Sequence, residues 1–412
     1  MKKILRDNKG SISALVVISV LLYSIVLTTA FMQASSKRKM QMESQILAKE
    51  AYEKQLDNLD EIRDEINGGA GTKVPAEATA ETAPYFPDNT FTKKEGTIDT
   101  GLVIQDANGN EYVWVVVPKS LYNNTNYNSN NTKKPSSSTD YANIEYCLQQ
   151  YTVTYRNGTS FFDVYYADDK NVGWFADATA YNNLKNSMLK SVYENGGFYV
   201  GRYEAGIETT GTNRTSNTDK NSEGKYITPS TTPVSKADAY PYTYVTRTQA
   251  QNLASNVNSG TKTSSLMFGV QWDLVLAFMH NKGNIADSTL TSNSTTIGNY
   301  KNNLWTIKNA NAKYSTDYGR TFTACPNPFK KDADSKILLT TGADSSFSVQ
   351  NIYDIAGNVY EWTLEKTDRG SLPCAQRGGD FYDTGSGSPA AKRNNFYTFS
   401  TDYSIGFRVT LW

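Results

Sequence analysis

Hydrophobic positions divide the chain into an apolar N-terminal run, an amphipathic helix and a long region of short strands and helices. Residues 10–36 carry no charge, and the run Ile12–Met32 is rich in Ile, Val and Leu. About 20 apolar residues cross the core of a bilayer as a helix. Lys and Arg residues flank the run on both sides. We therefore predict that residues 1–36 are a basic leader and a single transmembrane anchor.

The orientation of this anchor follows from what comes after it. The apolar run is longer than the roughly 7–15 residues of a signal-peptide core, which favours an uncleaved anchor over a secretory signal. Basic residues on both flanks weaken the positive-inside rule. The large polar C-terminal part favours an inside N-terminus, so we expect a single-pass membrane protein with an extracellular C-terminal domain.

Residues 37–84 predict a stalk and a tether. Apolar residues recur every three or four positions from Met42 to Ile66, with charges between them, as in an amphipathic helix. Asn67-Gly68-Gly69 ends the pattern. We assign residues 37–67 to a helical stalk, which is a rigid spacer, a self-associating coil or a filament spine. Residues 68–84 are rich in Gly, Ala, Thr and Pro and predict a flexible linker.

The region 85–412 predicts strands and turns with a few helices. Glu111–Val117 and Phe198–Ala205 are rich in β-branched and aromatic residues and predict strands. The polar stretches Tyr122–Tyr141 and Thr209–Thr232 predict surface loops or disordered insertions.

Three helices are predicted in the same region. The first has one apolar face formed by Tyr181, Leu184, Met188 and Val192, and ends at Gly196. The second begins with a capping box at Thr246 and Gln249. The third covers Phe268–Asn281 and is apolar enough to lie in the core.

Composition excludes several functions. Lys and Arg total 41, as do Asp and Glu, so the formal charge is zero and nucleic-acid binding is not expected. The chain has a single histidine, His280, which excludes metal sites that need two histidine ligands, such as the 2-His-1-carboxylate iron site and the HExxH zinc site. It follows an apolar run and is expected at a helix end. The three cysteines allow at most one intrachain disulfide and contain no CxxC pair for a structural zinc site.

Several motifs occur in a recognisable order along the C-terminal region. They are Tyr112-Val-Trp114, Gly197–Glu204, Gln271–Leu274, Asn351–Trp362, Arg377–Phe381 and Ile405–Arg408. As a set they resemble the formylglycine-generating enzyme family, also called the sulfatase-modifying factor domain, over residues 85–412. The resemblance implies an irregular α+β fold related to C-type lectins, with short sheets and two packed helices.

The turn from Asp354 to Glu361 is a candidate calcium site. Ca²⁺ is held by six or more oxygens from carboxylates and backbone carbonyls. In the family that the chain resembles, the matching turn holds calcium through two side chains and two carbonyls, which here are Asp354, Gly357, Val359 and Glu361. The alternative is a cation-free turn in which Asp354 caps backbone amides and Glu361 joins an ion pair. Arg377 and Arg408 are expected to pair with carboxylates or carbonyls in the core.

The same resemblance argues against catalysis. Oxygen-using members of the family depend on two cysteines shortly after the Arg-Gly-Gly motif, where soft sulfur ligands bind copper. Residues 380–397 of this chain contain no cysteine. An iron-binding branch needs histidines that the chain lacks. We therefore expect neither copper nor iron, and an enzyme is the less favoured interpretation.

A binding function is the remaining interpretation. In C-type-lectin-like folds, the C-terminal stretch corresponding to residues 382–403 forms an exposed ligand face, and here it is rich in Tyr, Asn, Ser and Thr. Tyrosine supplies contact area at low entropic cost. We predict a membrane-anchored, surface-displayed binding protein that recognises an extracellular glycan or protein. The candidate ligand-binding residues are Tyr382, Arg393, Asn394, Asn395, Tyr397 and Tyr403.

Two alternatives remain. The first is a tethered formylglycine-generating-type oxidase or other modifying enzyme. The second is a structural pilin-like subunit that assembles into a pilus or homo-oligomer. The short basic leader ending at Gly10, followed by Ser11 and the apolar run, resembles a type IV pilin, which implies processing after Gly10. That family carries Glu at the fifth mature position, where this chain has Leu15.

Overall fold

The computed structural model describes most of the C-terminal region and a short part of the N-terminal region. The described residues are 18–29, 32–33, 35, 74, 77–156, 161–168, 171, 174–208, 220–225, 227–257 and 262–412. Compact units divide at the glycine pair, into Met1–Gly68 and Gly69–Trp412. The leader around Gly10, Leu15, the stalk 37–67 and half of the second polar insertion lie outside the described residues.

The described part of the first unit is helical over residues 18–29. Its large apolar side chains are exposed, including Leu21 and Val26. Among the residues that the structure describes, none of the helices combines the length and the apolar character needed to cross a membrane.

The described residues of the second unit form six α-helices. They are α1 (Tyr141–Tyr151), α2 (Val153–Arg156), α3 (Ala178–Asn195), α4 (Arg247–Ser255), α5 (Gly269–Gly283) and α6 (Asp287–Thr291). Short 3-10 helices cover Lys119–Asn123, Thr295–Ile297 and Ser345–Phe347.

The strands of this unit are short, which confirms the irregular mixed α and β fold. The first ten are β1 (Thr92–Glu95), β2 (Val103–Gln105), β3 (Glu111–Val116), β4 (Phe161–Phe162), β5 (Gly197–Gly201), β6 (Gly206–Ile207), β7 (Tyr240–Pro241), β8 (Ser264–Leu266), β9 (Thr306–Ile307) and β10 (Lys313–Ser315). The others are β11 (Thr323–Ala324), β12 (Phe329–Lys330), β13 (Leu338–Leu339), β14 (Ser348–Val349), β15 (Ile352–Tyr353), β16 (Tyr360–Thr367), β17 (Cys374–Arg377), β18 (Arg393–Phe396), β19 (Ile405–Gly406) and β20 (Val409–Leu411).

A six-stranded antiparallel sheet joins the beginning and the end of this unit. Its strand order is β1-β2-β3-β5-β20-β8. The buried strand β3 pairs with β5, placing Val113 opposite Val200, and β20 pairs with β5 on the other side. Gly197 allows close packing here, because a Cβ atom at that position would lie 2.5 Å from the Trp114 ring. Both predicted strands are therefore confirmed, although the second ends at Gly201, and the structure makes them neighbours in one sheet.

A second sheet and helix α5 position the sites described below. The sheet has the order β18-β17-β16-β19, with β4 also paired to β16. Helix α5 is buried along nearly its whole length, as its apolar sequence predicts, and Trp272 on this helix is fully buried. His280 lies in its last turn, as expected.

Local signals correctly predicted α3, α4 and α5, whereas α1, α2 and α6 were not predicted. Helix α3 ends at Gly196, which takes a left-handed φ of +68°. Helix α4 begins with the predicted capping box: Gln249 N donates to Thr246 Oγ1, and Thr246 N donates to Gln249 Oε1. The polar stretch Tyr122–Tyr141 is an ordered series of turns, and Asn128 within it is fully buried.

Candidate ligand-binding surface

Four buried charged side chains form a network between the second sheet and helix α5, and Arg156 on α2 joins it through Asp273 at 3.6 Å. Arg377 and Arg393 lie opposite each other on β17 and β18. Arg377 binds Asp273 (2.8 Å) and Glu365 (3.1 Å), and Arg393 binds the same two carboxylates (2.5 and 3.0 Å). Each guanidinium therefore bridges α5 to β16, which fixes the helix against the sheet.

This network corrects one prediction and confirms another in part. Arg393 was expected on an exposed ligand face, but it is buried because both of its carboxylate partners lie in the core. Arg377 pairs with carboxylates in the core, as expected, and the structure identifies them as Asp273 and Glu365. Burial opposes ionisation of Glu365, but the two arginines outweigh it and hold the pKa of Glu365 at about 2.

The segment after the Arg-Gly-Gly motif is held by oxygen contacts. Gly379 has φ +79°, and a Cβ atom there would lie 2.4 Å from the Ser388 carbonyl oxygen. Tyr360 donates to Asp383 Oδ2 (2.7 Å), and its hydroxyl lies 2.9 Å from Ser388 Oγ. The resemblance implies a copper-binding cysteine pair in this segment, but the side chains that meet here offer hard oxygen atoms, which suit copper(I) poorly.

All three cysteines are buried free thiols. Burial raises the pKa of Cys147, Cys325 and Cys374 to about 11 in each case. The thiolate is the nucleophilic and metal-binding form. These cysteines therefore have the environment of buried packing residues.

The predicted calcium turn is a tight turn, and the Arg408 side chain supplies a positive charge to it. Asp354 and Gly357 take positive φ values of 57° and 73°. Glu361 accepts from Arg408 Nε at 3.1 Å and from Nη2 at 2.6 Å. Asp354 Oδ2 accepts from the Gly342 backbone N–H at 2.7 Å. Both contacts match the cation-free alternative described above.

The fit of calcium to this turn is therefore partial. Burial raises the pKa of Asp354 to about 7, which marks a carboxylate whose charge is poorly compensated. A calcium ion held through Val359 and Gly357 carbonyls would have to share Glu361 with Arg408. Among the described residues, no cluster of three or more Asp, Glu, His or Cys side chains could hold a metal. Calcium binding stays a prediction.

Three tyrosines from separate loops meet at the surface, and we call Tyr318, Tyr382 and Tyr403 the tyrosine patch. The ring centroids of Tyr318 and Tyr403 are 4.6 Å apart, and those of Tyr318 and Tyr382 are 6.1 Å apart in a stacked arrangement. Buried Phe381 packs under the rings of Tyr382 and Tyr403. Tyr318 is 37% exposed and lies in a turn with φ +66°.

A lysine completes this surface. Lys336 Nζ lies 3.5 Å from the centroid of the Tyr382 ring, which is a cation–π contact. The Lys336 side chain also lowers the pKa of Tyr382 through a hydrogen bond. Rigid aromatic faces with polar hydroxyl edges and a nearby cation can stack on a sugar ring or on an aromatic side chain.

The remaining predicted ligand residues lie elsewhere. Asn394 and Asn395 are half-buried on β18, which is the edge strand of its sheet. Tyr397 follows that strand and stacks on Phe399 at 5.2 Å, and both rings are more than 40% exposed. The structure therefore brings Tyr382 and Tyr403 together and places Tyr397 in a different group.

Sequence reasoning missed Tyr318 and Lys336. They lie far from residues 382–403 along the chain, between strands too short to give a clear periodic pattern. The only signal for Tyr318 is the following Gly319, which marks a turn where an aromatic residue would be displayed.

Comparison with known proteins gives a family and distant structural similarities. Residues 103–411 match the sequence model of the family described as Sulfatase-modifying factor enzyme 1-like domain. A search of curated protein sequences finds no match.

Among solved structures, PvdO from Pseudomonas aeruginosa is 14% identical with a TM-score of 0.33, covering 78% of this chain and 99% of PvdO. CarF is 14% identical with a TM-score of 0.27, covering 61% of this chain and 95% of CarF. Treponema denticola variable protein 1 is 15% identical with a TM-score of 0.21, covering 64% of this chain and 80% of that protein. These values are low and carry no functional argument.

Proposed function

Because the chain belongs to the Sulfatase-modifying factor enzyme 1-like domain family, we propose that it uses this fold for binding. In this proposal the protein is anchored in a membrane by its N-terminal apolar run and displayed at the cell surface. Its C-terminal domain recognises an extracellular glycan or protein, as an adhesin-like or minor-pilin-like protein does. Calcium has a structural role in the turn at Asp354.

The tyrosine patch carries the proposal. Its three rings lie within 4.6–6.2 Å of one another, come from separate loops and rest on a buried phenylalanine. Such a surface is pre-organised, so its side chains lose little conformational entropy when a ligand stacks on them. The absence of cysteine from residues 380–397 supports binding over copper-dependent oxidation.

The anchor is supported by the apolar sequence and by the part of it that the structure describes. The uncharged segment 10–36 is long enough for a bilayer span, and its described part, residues 18–29, is helical with exposed apolar side chains. Fractionation of cells into membrane and soluble fractions, followed by protease treatment of intact cells, tests the anchor and its orientation.

A binding screen tests the recognition function. The full-length chain, purified in detergent, is applied to a glycan array and to intact cells, with Tyr318→Ala, Tyr382→Ala and Tyr397→Ala variants. We expect binding that the first two variants weaken by roughly tenfold or more, as expected for loss of a contact residue. Tyr397→Ala is the control, because it removes an exposed tyrosine outside the patch. Loss of binding in Tyr397→Ala alone would move the site to β18 and contradict the proposal.

A further inference from the structure

One buried arginine differs from the three discussed above because two of its guanidinium nitrogens lack hydrogen-bond partners in the part of the chain that the structure describes. Arg247, the first residue of α4, is 1% exposed, and its Nε and Nη2 atoms form no hydrogen bond with the described residues. Buried Arg377, Arg393 and Arg408 each bind at least one carboxylate. Buried donors without acceptors are costly and are retained where they have a use.

The surroundings of Arg247 connect it to a cavity of about 480 Å³. The guanidinium carbon of Arg247 lies 4.1 Å from the centroid of the Trp174 ring, and Trp174 lines the cavity. The residues on either side of Arg247 contact side chains that line the cavity. The Thr246 hydroxyl donates to Asn171 Oδ1 at 2.7 Å, and the Thr248 hydroxyl donates to Asp168 Oδ2 at 2.7 Å.

The cavity lining combines aromatic and polar groups. Tyr165, Trp174 and Phe175 supply ring surface, and the last two rings pack edge to face at 4.9 Å. Glu223 and Lys225 lie at the rim as an ion pair at 3.7 Å. The volume is in the range of small-ligand sites, and aromatic faces beside hydrogen-bonding groups suit a sugar ring.

We propose that this cavity binds a sugar that carries a carboxylate or a sulfate. The sugar ring stacks on the rings of Tyr165 and Phe175, and its anionic group accepts hydrogen bonds from Arg247 Nε and Nη2 as the half-exposed Trp174 side chain moves aside. Charge-assisted hydrogen bonds from a planar guanidinium fit both anions. The site shares no residue with the tyrosine patch and does not depend on it.

Titration calorimetry with the full-length chain tests the site. The probes are a uronic-acid disaccharide, a sulfated disaccharide, the neutral disaccharide of the same linkage and inorganic sulfate. We expect binding of at least one acidic sugar and weaker binding of the neutral sugar and of sulfate. Arg247→Met and Tyr165→Leu should each weaken binding of the acidic sugar by roughly tenfold or more, whereas Tyr382→Ala should leave its affinity unchanged.

Thermal unfolding without ligand gives the second readout. Arg247→Met replaces a guanidinium that lacks hydrogen-bond acceptors by an apolar chain of similar length, so this variant should unfold at the same or a higher temperature than the natural protein. A structural arginine would give the opposite result. Equal affinity for acidic and neutral sugars, absence of sugar binding, or strong destabilisation by Arg247→Met would each overturn the proposal.

Discussion

Arg393 Nη2 donates to Asp273 Oδ2 at 2.5 Å, across 120 residues of sequence. Both side chains are almost completely inaccessible to solvent. This contact joins the edge strand β18 to helix α5, so the segment that carries Asn394 and Asn395 is tied to a helix of the core.

Loss of this ion pair should strongly destabilise the fold. Arg393→Met should lower the free energy of unfolding by about 3–5 kcal/mol, because it removes the guanidinium that contacts both Asp273 and Glu365 and leaves them only Arg377 and the more distant Arg156. Denaturant unfolding measures the change. Lys392→Met is the matched control, since its half-exposed side chain lies next to the network without joining it, and it should change stability by less than about 0.5 kcal/mol. A loss below about 1 kcal/mol for Arg393→Met would contradict a structural role for the pair.

Local signals in the sequence were enough to predict α3, α4, α5 and the central strands β3 and β5, but not α1, α2 or α6. The capping box at Thr246 and the glycine at the end of α3 depend on residues only a few positions apart, so both can be recognised in the sequence. The burial of Arg393 and the tyrosine patch depend on contacts between distant segments. Nothing near Arg393 distinguishes it from an exposed arginine in a polar stretch, because its partners lie on α5 and β16.

The capping box offers a test of such a local signal. Thr246→Ala removes the acceptor for Gln249 N and the donor to Asn171, and should destabilise the protein by roughly 1–2 kcal/mol. Thr246→Ser keeps the hydroxyl and should cost much less. Equal unfolding midpoints for the alanine variant and the natural protein would show that the cap is not a determinant of stability.

Calcium binding gives a prediction about heat stability. If the turn holds calcium, millimolar CaCl2 should raise the unfolding temperature, by an amount that grows with the ratio of calcium to its dissociation constant, and the same concentration of MgCl2 should not. Asp354→Asn keeps one side-chain oxygen and should reduce the shift, whereas Asp354→Ala should abolish it. An unchanged midpoint in CaCl2 for the natural protein would favour the cation-free turn, in which Arg408 neutralises Glu361.

The tyrosine patch should be linked to pH through Asp380. Burial, helped by the nearby Asp383, raises the pKa of Asp380 from an ordinary value of 3.8 to about 7. A carboxyl with a raised pKa in the folded state favours folding in its protonated form. Its contribution to stability is therefore complete below about pH 4 and is lost as the pH rises through 7.

Asp380→Asn separates this titration from the hydrogen bonds. Asp380 Oδ1 accepts from the backbone N–H groups of Tyr382 and Asp383 at 2.8 and 3.0 Å, and an asparagine oxygen can accept both. Between pH 5 and pH 8, the unfolding free energy of the natural protein should fall by roughly 1–3 kcal/mol more than that of the variant. Exposed Asp334→Asn controls for the change in net charge. Parallel pH profiles for Asp380→Asn and the natural protein would show that Asp380 does not titrate in this range, and ligand binding at Tyr382 would then carry no pH dependence from this source.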